Sequence, residues 1–226
     1  MDFDLVIFDC DGVLIDSEII SARMLVAELA GMGVSIDMAY VAHHFLGRSY
    51  PTVMKVIKQD FGVNLTPEFE ESYRTRLLAA FARDLKAITH VHDVLGALSV
   101  PWCIATSSSP VRAKQSLGIT GLSEVVGSKL FTASEVPNGK PAPDLFLHAA
   151  AKMGATPARC LVIEDSLNGI RAARAAGMPV WRFVGGSHLR DTWQAEPEGA
   201  IPDLHFDSFA DFASLTANRL ANPTKA

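Results

Sequence analysis

The sequence has no apolar run approaching the roughly 20 residues that a membrane-spanning helix needs. Met1-Asp2-Phe3-Asp4 brings no basic segment ahead of the first hydrophobic stretch. A soluble, cytoplasmic protein is expected. Cysteine is scarce: Cys10, Cys103 and Cys160 are odd in number, far apart and each set in or beside an apolar run. That pattern excludes a disulfide framework or a zinc site and predicts buried, reduced thiols. Nor is there a surplus of positive charge. The formal net charge of −5 gives no field for a nucleic-acid backbone or an anionic membrane. Internal repeats, low-complexity segments, a glycine-rich phosphate loop and a Ser/His/Asp grouping are all missing.

What is present begins with length and hydrophobicity: 226 residues, 49% of them hydrophobic, suffice for one sizeable core or for a core with a smaller insert. The stretch around which the chain is organised is Phe8-Asp9-Cys10-Asp11-Gly12-Val13-Leu14-Ile15-Asp16. It follows Leu5-Val6-Ile7-Phe8, an uninterrupted apolar run that reads as a parallel-sheet strand buried on both faces. Ligands in such sheets bind at the strands' C-terminal ends. Two aspartates placed where a buried strand runs out need partners, because an unpaired buried carboxylate is costly. The arrangement asks for a cation.

From Ser17 to about Asp84 the pattern is helical throughout: Ser17 to Gly33, Met38 to Leu46, Thr52 to Phe61 and Pro67 to Ala82, separated by glycine- and proline-bearing loops. The remainder alternates. Strands are predicted at Val100 to Ala105, Lys129 to Phe131, Cys160 to Ile163 and Pro179 to Val184, and helices at Pro110 to Gly118, Pro143 to Met153 and Ser166 to Ala176. Alternation of this kind predicts a doubly wound α/β core, with residues 1–15 and 87–226 forming the core and 16–86 a helical cap. The tail from about Asn218 is expected to fray.

Polar side chains then fall at four places: Asp9 with Asp11, Thr106 with its following serines, Lys140 in a Pro/Gly loop, and Glu164 with Asp165. Each alone has a structural explanation, as a turn, a cap or a solvated charge. Four that can meet on one sheet edge make a site. Carboxylates with one lysine and a hydroxyl suit Mg²⁺-assisted phosphoryl transfer, since hard oxygen ligands select Mg²⁺. An aspartate about 4 Å from a phosphate dianion meets roughly 8 kcal/mol of repulsion at an effective dielectric near 20. Mg²⁺ and a lysine cancel it.

Four short motifs stand in order: Phe8-Asp9-Cys10-Asp11-Gly12-Val13, Ile104-Ala105-Thr106-Ser107-Ser108, Gly139-Lys140-Pro141-Ala142-Pro143-Asp144, and Ile163-Glu164-Asp165-Ser166-Leu167-Asn168-Gly169. With a helical insert after the first strand, they make the chain resemble the haloacid dehalogenase superfamily, in its sugar-phosphate phosphatase branch, over nearly its whole length. The resemblance implies a Rossmann-like core. It also implies that Asp9 is the nucleophile, forming an aspartyl-phosphate and ligating Mg²⁺, and that Asp11 is the general acid and then base, its backbone carbonyl on the metal. By the same resemblance Thr106 bonds a phosphate oxygen with help from backbone N–H groups near Ser107 and Ser108, Lys140 bridges Asp9 and the phosphate, and Asp165 and Glu164 complete the metal site.

Asp11 disfavours dehalogenation, which protonates no alkoxide. Ser21 stands where a similar hexose-phosphate mutase has a histidine, which favours hydrolysis over the mutase alternative. A catalytically weak ligand-binding module is a third reading, and the intact motifs count against it. The cap is expected to close over the site on hinges near Asp16 and Arg83 to Lys86. Its Gly47-Arg48-Ser49 loop offers Arg48 to a phosphate or a sugar-acid carboxylate. His43 and His44 are weaker candidates for substrate contact. Arg74 and Arg76 read as solvated surface, and Phe69, Leu77, Leu78 and Phe81 as core. The expected partner is a small phosphorylated sugar or sugar acid; the oligomeric state is left open.

Overall fold

The structure, a computed structural model, describes residues 2–190, 196–217 and 219–220. Most of the tail expected to fray lies outside those residues. Strand β1 (Leu5–Phe8) is buried along its whole length. Helices α1 (Glu18–Gly31), α2 (Met38–His44), α3 (Tyr50–Phe61) and α4 (Pro67–Asp84) follow before the chain returns through α5 (Val91–Ala97) to β2 (Trp102–Thr106). Then come α6 (Pro110–Ile119), α7 (Ser123–Val126), β3 (Leu130–Thr132), α8 (Asp144–Lys152), β4 (Cys160–Glu164), α9 (Leu167–Ala175), β5 (Val180–Phe183), β6 (Leu204–Phe206) and α10 (Phe212–Thr216).

The six strands form one parallel sheet in the order β3-β2-β1-β4-β5-β6. Alternation along β1 divides its side chains between two cores. Val6 and Phe8 join a cluster with Ile104, Ile163 and Trp181, and Leu5 and Ile7 join a cluster with Cys103, Val162, Phe146 and Ile170. Phe8 pairs with Ile104 on one side and Ile163 on the other, so Asp9, Thr106 and Glu164 finish at nearly one level. The winding direction reverses between β1 and β4, and a sheet opens a crevice at such a switch point.

Local signals set the element ends. Asp37, Thr66, Ser109 and Ser166 each accept a backbone N–H at a helix start, from Tyr40, Phe69, Arg112 and Gly169. Such caps contribute about 1 kcal/mol each. The residue capping α9 is therefore Ser166, not Asp165. Strand β2 starts at Trp102, later than the sequence suggests, since Pro101 has no N–H to give the ladder. The same strand runs on through Thr106, which pairs with Thr132. Helix α3 begins two residues before the expected Thr52. Short α5, α7, α10 and the edge strand β6 carry too few residues for their periodicity to register.

The two chain crossings into and out of α1–α4 pair with each other. Ile15 bridges Ala87 in antiparallel fashion, the Asp16 N–H donates to Lys86 O at 2.9 Å, and the Ile88 N–H donates to Leu14 O at 2.9 Å.

Candidate active site

Lys140 is the hub. Its Nζ donates to Asp9 Oδ1, to Glu164 Oε1 at 2.8 Å and to the Ala105 carbonyl at 3.0 Å, with only 1% of the side chain exposed. The loop before α8 thus delivers a cation into the crevice from the β3 side. Asp9 extends the buried β1, and its N–H donates to Ile163 O. Burial pushes the Asp9 carboxyl well above the usual range, with Lys140 opposing and Glu164 and Asp165 adding to the rise. Burial likewise raises Asp165, with Glu164 beside it.

Glu164 folds back over the start of α9. Its Oε2 accepts from the Asp165 and Ser166 N–H groups and from Ser166 Oγ, at 2.8, 2.8 and 2.9 Å. A side chain at Gly169 would put a Cβ 1.7 Å from Glu164 Oε1, so glycine leaves the room this fold-back needs. Ligand atoms of Asp9, Glu164 and Asp165 lie within 4.8 Å of one another, all in buried residues. Three carboxylates facing one lysine form an oxygen-rich, negatively charged set that fits a hard divalent cation.

Asp11 is turned away from that set. Its Oδ1 accepts from Ser17 Oγ at 2.6 Å and Arg112 Nη2 at 2.9 Å, and its Oδ2 from Ser108 Oγ at 2.7 Å and Thr106 Oγ1 at 3.3 Å. Burial raises its pKa, but Arg112 and the three hydroxyls outweigh it and the carboxyl stays below its ordinary value. The Arg112 guanidinium also donates to Ser21 Oγ at 3.2 Å and lies 5.3 Å from the centre of the Phe81 ring. Cys10, between the two aspartates, is fully buried and its thiol is pushed far up, which makes it inert.

The helices of 16–86 roof the crevice. Ser107 Oγ donates to Gly47 O at 3.1 Å and Asn168 Nδ2 to Leu46 O at 3.0 Å, so the Gly47 loop rests directly on the loop after β2 and on the first turn of α9. Beneath it lies a cavity of about 620 Å³, lined by Asp9, Asp11, Thr106, Ser107, Ser108 and Lys140 from the core and by Glu18, Arg48, Tyr50, Tyr73 and Arg74 from the roof. Arg48 Nε and the Tyr50 hydroxyl are buried there without a hydrogen-bond partner.

Arg74 is exposed and pairs with Glu70, in keeping with its reading as solvated surface, and both also line the cavity because α4 runs along its wall. His43 and His44 do not line it, and His44 stacks on Tyr40 with ring centres 4.2 Å apart. Arg76 pairs with Glu28, Leu77 and Phe81 are core, and Phe69 and Leu78 pack partly buried against it. Four residues went unanticipated: Ser17 and Arg112 on Asp11, and Arg182 and His188 on Asp165. A signal existed for Arg112, since helical side chains tilt toward the N-terminus and α6 starts just beyond Thr106. His188 follows a bare Gly185-Gly186 loop and offered none.

Glu18, half-buried in the cavity wall, has its pKa pushed up to about 7, first by burial and then by Asp11 and Asp165. A carboxyl whose folded-state pKa exceeds its unfolded value costs stability as pH rises between the two. Metal-free Glu18→Gln is therefore expected to unfold later than wild type at pH 8, by an amount on the order of 3 kcal/mol, and equally at pH 4. Thermal unfolding in chelator checks this, and identical pH dependence in the two proteins refutes it.

An open parallel sheet with three carboxylates, a buried lysine and a threonine gathered at its switch point is the kind of site that phosphoryl-transfer enzymes use. Residues 3–177 match the family described as haloacid dehalogenase-like hydrolase. The chain is 30% identical over 186 residues to the 6-phosphogluconate phosphatase of Escherichia coli K12, covering 82% of this chain and 84% of that one. It is 32% identical over 176 residues to the fructose-1-phosphate phosphatase of the same organism, covering 76% and 92%. Among solved structures, a haloacid dehalogenase family hydrolase of Deinococcus radiodurans with bound phosphate and sodium superposes with a TM-score of 0.74 at 34% identity, over 95% of this chain and 96% of that one. The chain belongs to the haloacid dehalogenase-like hydrolases, as a phosphatase of that family.

Among the described residues no helix is long and apolar enough to cross a membrane.

Proposed function

We propose that this phosphatase hydrolyses the monophosphate ester of a small sugar or sugar acid, with Mg²⁺ held by Asp9, Asp165, Glu164 and the backbone carbonyl of Asp11. The observation that carries the reading is the Lys140 bridge between Asp9 and Glu164 at the floor of a roofed cavity whose far wall holds Arg48. When bound, Mg²⁺ supplies charge neutralisation at the phosphoryl oxygens.

An Asp9 carboxylate oxygen attacks phosphorus and the ester P–O bond breaks. Asp11, ionised at rest against Arg112, takes a proton from solvent as the phosphate dianion binds and gives it to the departing alkoxide. Water then attacks the aspartyl-phosphate, its proton passes to Asp11, and cleavage of the P–O bond to Asp9 frees inorganic phosphate. Such acid–base assistance contributes ~10²- to 10⁴-fold. Lys140 opposes the effect of burial on Asp9 and aims its carboxyl, and Thr106 with the backbone after it receives the phosphoryl oxygens. Residues 16–86 act as a cap that excludes water and selects the substrate, with Arg48 Nε and the Tyr50 hydroxyl free to meet the sugar end.

The test is phosphate release by the purified chain, with and without Mg²⁺, across a panel of sugar and sugar-acid phosphates. Mg²⁺-dependent release from a few related compounds is expected. Retention of phosphate through a sugar bisphosphate moves the assignment to a mutase, and no release from any compound overturns it.

Cap closure has its own test. Gly47 has φ +71° and a Cβ there would stand 2.1 Å from Ser166 Oγ. Gly47→Ala is expected to lift the Arg48 loop and raise KM by about 10-fold or more, since small misplacements are felt strongly. Steady-state kinetics decide it, and an unchanged KM refutes the docking role.

A further inference from the structure

The turn after β5 lies outside the four motifs, yet it reaches the metal-binding carboxylates. His188 is buried, and its Nε2 stands 2.7 Å from Asp165 Oδ2. The slot that admits the imidazole is made by two glycines. A Cβ at Gly12, where φ is +80°, would meet Asp165 Oδ2 at 2.2 Å and His188 Cε1 at 2.9 Å. A Cβ at Gly186 would meet His188 Cε1 at 2.6 Å and Nδ1 at 2.8 Å. The ring therefore packs edge-on against backbone from both the first motif and its own loop, and neither glycine accepts a side chain without displacing it.

The turn is pinned from two further directions. The Ser187 N–H and Oγ both donate to Asp16 Oδ1, at 3.1 and 2.8 Å, which ties the turn to the crossing into α1. From inside β5, buried Arg182 donates through Nε to the Asp165 carbonyl at 2.9 Å and through Nη1 to Glu196 at 2.7 Å. Asp165 is thus held at its backbone by a hydrogen bond from Arg182, and its carboxylate Oδ2 lies in close contact with the His188 ring. Both come from a segment to which the phosphoryl-transfer chemistry assigns nothing.

We infer that His188 is a positioning residue for the divalent cation: it fixes the rotation of the Asp165 carboxylate, so that the ligand oxygen is presented before the metal arrives. The inference rests on the proposed metal site. Groups that orient a metal ligand in this way are typically worth about 10- to 100-fold in metal affinity. Glutamine places an amide nitrogen near the Nε2 position and asparagine near Nδ1, so the two amides separate the oriented contact from mere polarity.

The experiment is Mn²⁺ binding to the full chain, read by the electron paramagnetic resonance signal of free Mn²⁺, with no turnover involved. Wild type, Asp165→Asn, His188→Leu, His188→Gln and His188→Asn are compared, each checked for folding by circular dichroism. Expected are a loss of about 100-fold or more in Asp165→Asn, about 10- to 100-fold in His188→Leu and His188→Asn, and recovery to within about 3-fold of wild type in His188→Gln. Should His188→Leu not fold, the Gln and Asn pair decides. Wild-type affinity in His188→Leu or His188→Asn, with binding lost in Asp165→Asn, overturns the inference and leaves the metal site standing. Absence of Mn²⁺ binding in wild type, or an unchanged affinity in Asp165→Asn, overturns both.

Discussion

Asp9→Asn is expected to lower phosphate release by about 10⁴-fold or more while leaving the chain folded, a loss of the size seen when a nucleophile is removed from an otherwise intact site. Asparagine is nearly isosteric and keeps a carbonyl oxygen in reach of Lys140 Nζ, so the hub geometry survives. Burial already opposes the ionised form of Asp9, so a neutral replacement carries no desolvation penalty in the metal-free protein. Two measurements decide the case together: phosphate release at saturating Mg²⁺, and mass spectrometry of protein quenched during turnover. The wild type is expected to carry one phosphoryl group on Asp9 and the variant none. Release within about 10-fold of wild type would sink the assignment of Asp9, whatever the metal dependence.

The second large effect is on stability. Lys140→Met removes a cation that contacts both Asp9 and Glu164, and it does so where the side chain is almost wholly buried. Breaking a buried pair by deleting one partner costs about 3–5 kcal/mol, because the other charge stays behind. For a chain of this size that corresponds to a fall in Tm on the order of 10 °C. Without Lys140 the carboxylates resist ionisation further, and a carboxyl with a raised folded-state pKa loses stability as pH climbs. The deficit is therefore expected to be larger at pH 8 than at pH 5 in chelator. Added Mg²⁺ is expected to restore part of it. Thermal scans at both pH values, with chelator and with Mg²⁺, make the comparison; a deficit that ignores both pH and Mg²⁺ rules out the electrostatic account.

Much of this was legible in the sequence, because it is written in short contiguous words. Leu5 to Phe8 is continuously apolar and ends in two aspartates, and Cys160 to Ile163 repeats the pattern before Glu164-Asp165. Parallel pairing then brings those ends together, since the two apolar runs align from Leu5 opposite Cys160 to Phe8 opposite Ile163. The cap loop was legible for another reason: Gly47 sits between helical periods and must adopt φ > 0.

The unread part depends on which side chains reach across from other elements. Arg112 and Ser17 surround Asp11 because α6 and α1 converge on the first motif, and helix directions are not encoded in periodicity. Arg74 reads as one more charge in a Glu/Arg-rich helix, and only the packing of α4 along the crevice makes it a wall residue. Edge strand β6, three residues with one exposed histidine, has no pattern to read. His188 lies in irregular chain, where position follows from tertiary contacts alone.

The ribbon that joins Ile15 to Ala87 has a consequence for how such a protein changes over generations. None of Asp9, Asp11, Thr106, Lys140, Glu164 and Asp165 lies between its two strands in sequence. The intervening segment is therefore a cassette joined to the reacting half at the ribbon and at a few named contacts, above all Ser17 on Asp11 and the Leu46-Gly47 loop on Asn168 and Ser107. A lineage can rewrite what the enzyme admits by mutating between those points, and the reacting half stays undisturbed as long as the ribbon closes and those contacts are kept.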